Sequence, residues 1–590
     1  MNSNGDDIFS RHWKAWLFLF WIVVSTYFIV QRWNAIQWFA LGDTDDNMRM
    51  MQVRAWLAGQ DWFDLRQYRL NPPTGADMHW SRLVDVPIAG LLLLFKPIFG
   101  GVIAEKIAVT IAPLIPLFVA FIGLGLTVRR LVAPPSFILA AAIYACAYTA
   151  MLMFMPLRID HHGWQLAMLT LLIAGLSDPN PRRGGVLSAG ATVVSLVIGL
   201  EMILYLAICG AAVGLRWIID AGQRERMRSY GMTLGIGVAV GFAGFASYAN
   251  RAPRCDALSP VWLSVMMIAG GLLFGLSFLK LERRSTRLLA ATVAAAIVAG
   301  FLATVWPDCL GRPEQVSPEL DRLWLRNISE AKPLYSQNWP TIFSVSVLLI
   351  GLVGNMLAMW RDRANERGAA WASVALLALL SALMVLWQTR AAGSALTFAV
   401  PGATYLAWLW LPKLRAHRSV LVRVLGTAAA FLLVSGMGIQ MAIGFMPNPK
   451  VATPRLKKVN TANARCPTSP ALAPIARLPK AVIFTFVDLG PRLITMTHHD
   501  AIAGPYHRNG DAILDVQHVF RGSADEARAI INRHGATLLL ICPNMSESTI
   551  YRAQNPKGFY VQLTTGRVPA WLTPVALPPQ SPFMLWRVTR

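Results

Sequence analysis

Apolar runs of about 18–22 residues recur along the chain, and short basic clusters separate them. A run of that length crosses a hydrocarbon core of about 30 Å as a helix. A spanning strand would be shorter and would alternate polar with apolar side chains, which these runs do not. The composition agrees: 55% of the 590 residues are hydrophobic and 14% are charged, against about 25% charged in soluble domains. The expected fold class is a polytopic α-helical membrane protein of about thirteen transmembrane helices, followed by a C-terminal soluble α/β domain.

The expected spans are 15–33, 104–127, 136–155, 163–177, 184–199, 202–219, 230–249, 261–279, 288–306, 341–359, 369–387, 395–412 and 424–446. Segment 84–99 is also apolar but carries Pro87, Lys96 and Pro97. Counting it as a span would send most basic clusters to the outer side, against the usual cytoplasmic bias of Lys and Arg. It is therefore read as an interfacial or re-entrant helix. Arg11 and Lys14 precede the first span, with no small-residue cleavage site after it, so that span is expected to stay attached with its N-terminus inside.

The net charge of +23 raises the question of nucleic acid. A phosphate backbone calls for basic residues gathered on one face or tail. Here they fall between apolar runs, as at Arg129-Arg130, Arg182-Arg183, Arg224/Arg226/Arg228 and Arg361/Arg363/Arg367. That is the pattern of inner loops, and nucleic acid is excluded as a partner.

Residues 1–446 form the membrane domain on this reading, with outer loops at 42–82, 156–162 and 307–340. Residues 447–590 form the soluble domain, on the same outer side. Ala481–Phe486 and Thr537–Ile541 read as buried strands. Ser523-Ala-Asp-Glu526 has the spacing of a helix-opening capping box, in a helix ending near Gly535. Four of the six cysteines fall on outer segments, and the pairs Cys255–Cys309 and Cys466–Cys542 are favoured because each stays within one region.

Chemistry concentrates in the outer loops. Asp43, Asp45 and Asp46 follow the first span, and three carboxylates that close repel one another unless a cation or basic partner neutralises them. Such oxygen-rich clusters suit Mg²⁺ or Mn²⁺. The corner Arg158-Ile-Asp160-His161-His162 sets a carboxylate and an imidazole two residues apart, so an extended stretch aims both the same way. Asp160 could equally cap the next helix. Glu330 lies in the third loop, and Arg390 stands at the outer end of a later span, where it could hold a lipid phosphate or simply snorkel. In the soluble domain, His498, His499, Tyr506, His507 and Arg508 are read as acceptor or substrate contacts, because polar and aromatic residues so gathered often mark a functional loop.

This order of acidic loop, Asp-x-His corner, Ile328-Ser329-Glu330, outer-end Arg390 and soluble outer domain resembles the C-superfamily membrane glycosyltransferases, above all the catalytic subunits of oligosaccharyltransferases. The resemblance implies transfer of a sugar from a polyprenyl (pyro)phosphate carrier at the outer face, aided by a divalent cation. Asp43, six residues before Arg49 as in the family's first motif, would be catalytic and metal-linked, with Asp45 beside it. Asp160-His161-His162 matches the Asp-His-His of archaeal members, which implies metal ligation by Asp160 and His162. Glu330 would join the metal or acceptor site, and Arg390 would bind the carrier phosphate.

One departure stands out. The Trp-Trp-Asp-Tyr-Gly signature that reads a peptide acceptor is missing, so the acceptor is left open among glycan, lipid and protein. The expected setting is a multi-pass protein of the inner (plasma) membrane, with a cytoplasmic N-terminus and an extracytoplasmic C-terminal domain. A lipid-linked sugar flippase or a polytopic transporter is the alternative. It is weakened because the notable carboxylates lie in loops rather than at the bilayer midplane. A polymerase or ligase of surface polysaccharide is chemically close to the first reading.

Overall fold

The computed structural model describes residues 8–446 and 453–589. Each expected span falls on a helix or on a bent helix pair. Among the described residues, six helices are long and apolar enough to cross a membrane, or up to eight if each bent pair is one span. His162–Leu176, Ile203–Ile219 and Pro260–Leu276 are apolar but shorter. Pro134–Ala145 and Tyr148–Phe154 bend by 82°, and Val422–Val434 and Met437–Phe445 by 88°. The expected domain boundary at Pro447 lies outside the described residues.

Six helices frame the site: α1 (Trp13–Gln37), α2 (Thr44–Leu57), α3 (Asp85–Phe99), α4 (Gly101–Leu131), α5 (His162–Leu176) and α6 (Pro181–Ile198). Apolar side chains point both inward and outward. α5 is buried along nearly its whole length, whereas Leu288, Leu289, Val293 and Ile297 on the helix Arg284–Val305 are exposed. An apolar helix with no buried residue in its most hydrophobic stretch is what a lipid-facing position requires.

The segment 84–99 forms α3, carrying Pro97 inside. Its start is held by Arg49, which reaches Asp85 at 2.9 Å. The chain turns at Gly100, where φ is +77°, and comes back along α4 until Glu105 meets Arg54 at 2.7 Å. Arg49 and Arg54 both belong to α2, which thus holds the start of α3 and the first turns of α4.

Close helix contact elsewhere depends on small residues. Gly354 faces Gly402 so tightly that an added Cβ would lie 2.1 Å from the Gly402 carbonyl oxygen. This lets the helices carrying them touch backbone to backbone.

The far end of α5 carries a different device. Arg130, Arg226 and Arg216 donate to the carbonyls of Ala174, Gly175 and Leu176 at 2.5–2.8 Å. These are acceptors that a helix C-terminus leaves open, and cations also suit its negative dipole end. Asp178 just beyond is fully buried and paired with Arg130 at 2.6 Å and Arg183 at 2.7 Å.

The C-terminal residues build a five-stranded sheet in the order β2-β1-β3-β5-β4. The strands are β1 (Val482–Phe484), β2 (Asp500–Ala501), β3 (Leu538–Ile541), β4 (Leu572–Pro574) and β5 (Met584–Val588). β1 pairs in parallel with β2 and β3, and β5 runs antiparallel to β3 and β4. Both expected strands are present, as β1 and β3. The capping box forms in full at Ser523 and Glu526, and the helix ends before Gly535, whose φ is +63°. Disulfides join Cys255 to Cys309 and Cys466 to Cys542.

Candidate functional site

Asp43 caps α2, accepting from the Thr44 amide at 2.6 Å. Asp45 and Asp46 occupy the first turn, where the helix dipole favours negative charge. Local sequence therefore accounts for three carboxylates at one helix end. It does not neutralise them.

The corner before α5 does. Leu157 adopts φ +77°, a left-handed conformation costing a non-glycine residue about 1–2 kcal/mol, and its amide is held by the Val109 carbonyl at 2.8 Å. The next residue, Arg158, is thereby aimed at the acidic cluster. Its guanidinium meets Asp43 at 2.6 Å and Asp46 at 3.5 Å, and pairs with Asp160 as well. Asp46 is fully buried and accepts from the Asp160 amide at 3.1 Å, so it pins the corner to α2. Neither Arg158 nor Asp46 has an assigned role in the sequence reading. The signal was there: three adjacent carboxylates need a cation, and the corner supplies one.

Asp160 serves two purposes. Its Oδ1 accepts from the His162 amide at 3.0 Å, capping α5, as one sequence reading expects. Its Oδ2 faces His162 Nδ1 at 3.2 Å. Neither of those two buried atoms has a partner in hydrogen-bond geometry. A carboxylate oxygen and an imidazole nitrogen side by side, with the Arg158 guanidinium against that same oxygen, are donor types that suit a cation. A second group overlaps this one: ligand atoms of His161, His162 and Glu201 all lie within 4.8 Å of one another. His161 Nδ1 faces Arg49 at 3.4 Å, so it acts as acceptor and its Nε2 carries the proton toward Glu201. His161 thus positions Glu201, and His162 and Glu201 are the members of this group that could hold a cation.

The electrostatics separate the carboxylates. Desolvation pushes Asp43 up, but the Arg158 guanidinium outweighs it and holds the carboxyl below its usual range. Desolvation and the Asp43 charge push Asp45 up to about 7, against the pull of His162. Burial drives Asp46 well above the ordinary carboxylate range, with Arg158 opposing. One acidic cluster therefore contains an ionised carboxylate beside one poised near neutrality, the usual condition for dividing ligand and base roles.

Residues of the C-terminal sheet region cover this cluster. Tyr506 donates its hydroxyl to the Thr44 carbonyl at 2.9 Å. The helix Gly490–Met496 docks on α2, with Arg492 reaching the Phe39 carbonyl at 3.0 Å and Thr495 the Asn47 carbonyl at 3.2 Å. Asp488, just before that helix, is pushed up to about 6 by desolvation and then by Asp43. His507 and Arg508 clasp Asp256 at 2.6 and 2.7 Å, and Arg508 also reaches Asp77 at 3.0 Å.

The structure thus gathers Asp43, Asp45, Asp160, His162 and Tyr506 in one place, with His507 and Arg508 as a latch beside it. It places the other expected residues elsewhere. His499 is buried, accepting from the Ala481 amide at 3.2 Å and donating to the Ile475 carbonyl at 2.8 Å. No ring nitrogen is left for a substrate. His498 reaches the Leu478 carbonyl at 2.9 Å. Glu330 is exposed. Arg390 lies near it through the Thr389–Lys332 backbone bond of 2.9 Å, and the nearest carboxylate to Arg390 is Glu314 at 3.8 Å. Among the described residues, no hydrogen bond or ion pair joins Glu330 or Arg390 to the acidic cluster.

No protein-family model and no curated protein matches the sequence. Solved structures do match in fold. The archaeal oligosaccharyltransferase AglB from Archaeoglobus fulgidus, in complex with an inhibitory peptide and a dolichol-phosphate, superposes with a TM-score of 0.70 at 14% identity. That match covers 98% of this chain and 74% of the other. The apo form of the A. fulgidus enzyme gives 0.69 at 14% identity, over 93% and 72% of the two chains. Its complex with Zn and sulfate gives 0.58 at 12% identity, over 89% and 67%. The chain therefore shares the fold of the archaeal oligosaccharyltransferase AglB.

Proposed function

We propose that this protein is a membrane glycosyltransferase that moves a sugar or oligosaccharide from a polyprenyl (pyro)phosphate carrier to an acceptor on the face bearing the acidic cluster. The observation that carries this reading is the meeting of Asp43, Asp45, Asp160 and His162, from two separate loops, beneath Tyr506 and Asp488 of the C-terminal domain. Asp43, Asp160 and His162, with Glu201 alongside, would hold a divalent cation such as Mg²⁺ or Mn²⁺. When bound, that ion supplies charge stabilisation for a departing phosphate.

The chain's own groups account for the rest. Asp45, poised near neutral pH, is the residue suited to take the acceptor's proton. Arg158 holds Asp43 and Asp160 in register. Glu330 and Arg390 sit next to each other on the outer end of the bundle, and Arg390 is the proposed partner of the carrier phosphate. Phe486-Val487-Asp488-Leu489-Gly490 follows β1. It keeps the Asp-x-Gly spacing of the peptide-reading signature without its tryptophans or tyrosine, which supports an acceptor other than a peptide sequon. We place the N-terminus in the cytoplasm, and the acidic cluster and C-terminal domain outside, in a cell-envelope setting.

The test is a transfer assay with purified protein in nanodiscs and a radiolabelled polyprenyl-linked sugar. Asp43→Ala and Asp160→Ala should abolish product while leaving insertion intact. Label that crosses the bilayer of a vesicle without product in any acceptor pool would instead establish a flippase.

A further inference from the structure

A cavity lined by charged groups lies at the end of the bundle opposite the acidic cluster. Its volume is about 1010 Å³, and Arg129, Arg130, Arg182, Arg183 and Asp178 line it. It sits between the start of α1, the end of α4 and the start of α6, just past the end of α5. α5 has 15 residues, which separates the two ends of that helix by about 22 Å.

The four arginines are not equivalent. Arg130 and Arg183 close on Asp178 at 2.6 and 2.7 Å, so one carboxylate is shared by two guanidiniums. Arg129 lies over the Trp13 ring at 5.0 Å, with one hydrogen bond to the Pro134 carbonyl. Arg182 is exposed and has no side-chain hydrogen bond or ion pair among the described residues. The cavity therefore carries a surplus of cationic donors in fixed positions. Apart from Asn180, its remaining wall is apolar, chiefly Leu126, Val186 and Leu187. Trp13 at its rim is a residue type that settles at the headgroup level of a bilayer.

We infer that this cavity seats the phosphate headgroup of an anionic phospholipid from the leaflet opposite the acidic cluster. The guanidiniums supply charge-assisted donors to the phosphate, and the apolar wall takes the first part of an acyl chain. A free phosphate ion would use the same donors but leave that wall unfilled. The site is independent of the transfer reaction, so it stands or falls separately from the function proposed above.

The experiment uses the full chain extracted from nanodiscs of equal phosphatidylglycerol and phosphatidylcholine, with retained lipids counted by native mass spectrometry. Wild type should retain phosphatidylglycerol over phosphatidylcholine. Arg182→Ala, an exposed change, should lower that retention about fivefold for the one charge removed, with an unchanged melting temperature. Arg363→Ala, a basic residue in another loop, should leave it unchanged. Equal retention of the two lipids, loss in Arg363→Ala equal to that in Arg182→Ala, or displacement of lipid by millimolar inorganic phosphate would each overturn the inference.

Discussion

Arg158 closes on Asp43 at 2.6 Å and joins the capped start of α2 to the corner that opens α5. The same guanidinium serves Asp46 and Asp160, so it occupies the electrostatic place that a divalent cation would share. Removing one partner of a buried ion network costs about 3–5 kcal/mol. Arg158→Ala is expected to lower the melting temperature strongly in chelator, and millimolar Mn²⁺ should restore much of the loss. If metal gives wild type and variant the same small increment, Arg158 and the cation do not share the cluster.

His162 and Glu201 come from different elements and present ligand atoms to one another. His162→Ala and Glu201→Gln should each weaken Mn²⁺ binding beyond the roughly 10–100-fold typical of losing a residue that only orients a ligand, read by electron paramagnetic resonance of free Mn²⁺. His161→Ala should do so less, since it acts through Glu201. Unchanged affinity in Glu201→Gln would remove that residue from the ligand set.

Asp256 predicts a pH dependence. Desolvation pushes its carboxyl up, but hydrogen bonds from His507 and Arg508 outweigh that and hold it far below the usual range. A depressed folded pKa stabilises above the unfolded value of about 3.9 and loses that contribution as pH falls below it. Wild-type melting temperature in detergent should therefore hold from pH 7 to 5 and drop below about pH 4. Asp256→Asn should begin lower, by about 3 kcal/mol or more of lost pairing, and fall less steeply. Parallel acid profiles for the two proteins would show that the latch does not contribute.

Gly354 and Gly402 predict a steric asymmetry. Gly402→Leu should overpack the helix contact by about 1–3 kcal/mol or more and reduce the yield of folded protein in size-exclusion chromatography. Gly90→Leu on α3 meets nothing within 4 Å and should leave the yield as it is.

Helices were legible in the sequence wherever apolar length alone decides. The capping box at Ser523 and the two disulfides were legible because each rests on spacing or region. Tertiary neutralisation was not. Asp45 and Asp160 were visible as chemistry, yet Arg158 acquires its role only when Leu157 turns it toward α2, and no local pattern announces a left-handed leucine. His499 shows the converse. A histidine pair beside an aspartate looks reactive in sequence, but folding spends both ring nitrogens on backbone groups. Glu201 was invisible because its turn carries no motif, and its neighbours arrive from α5.

The shortness of α5 has a bearing on depth. Its 15 residues reach about 22 Å, while a hydrocarbon core is about 30 Å thick. If the arginine-capped end rests among headgroups, the His162 end stops about 8 Å below the opposite boundary. The bilayer must thin there, or water and the C-terminal domain must fill the hollow. Where the bilayer thins, a phosphate on a long lipid would meet the acidic cluster from the side at its own level.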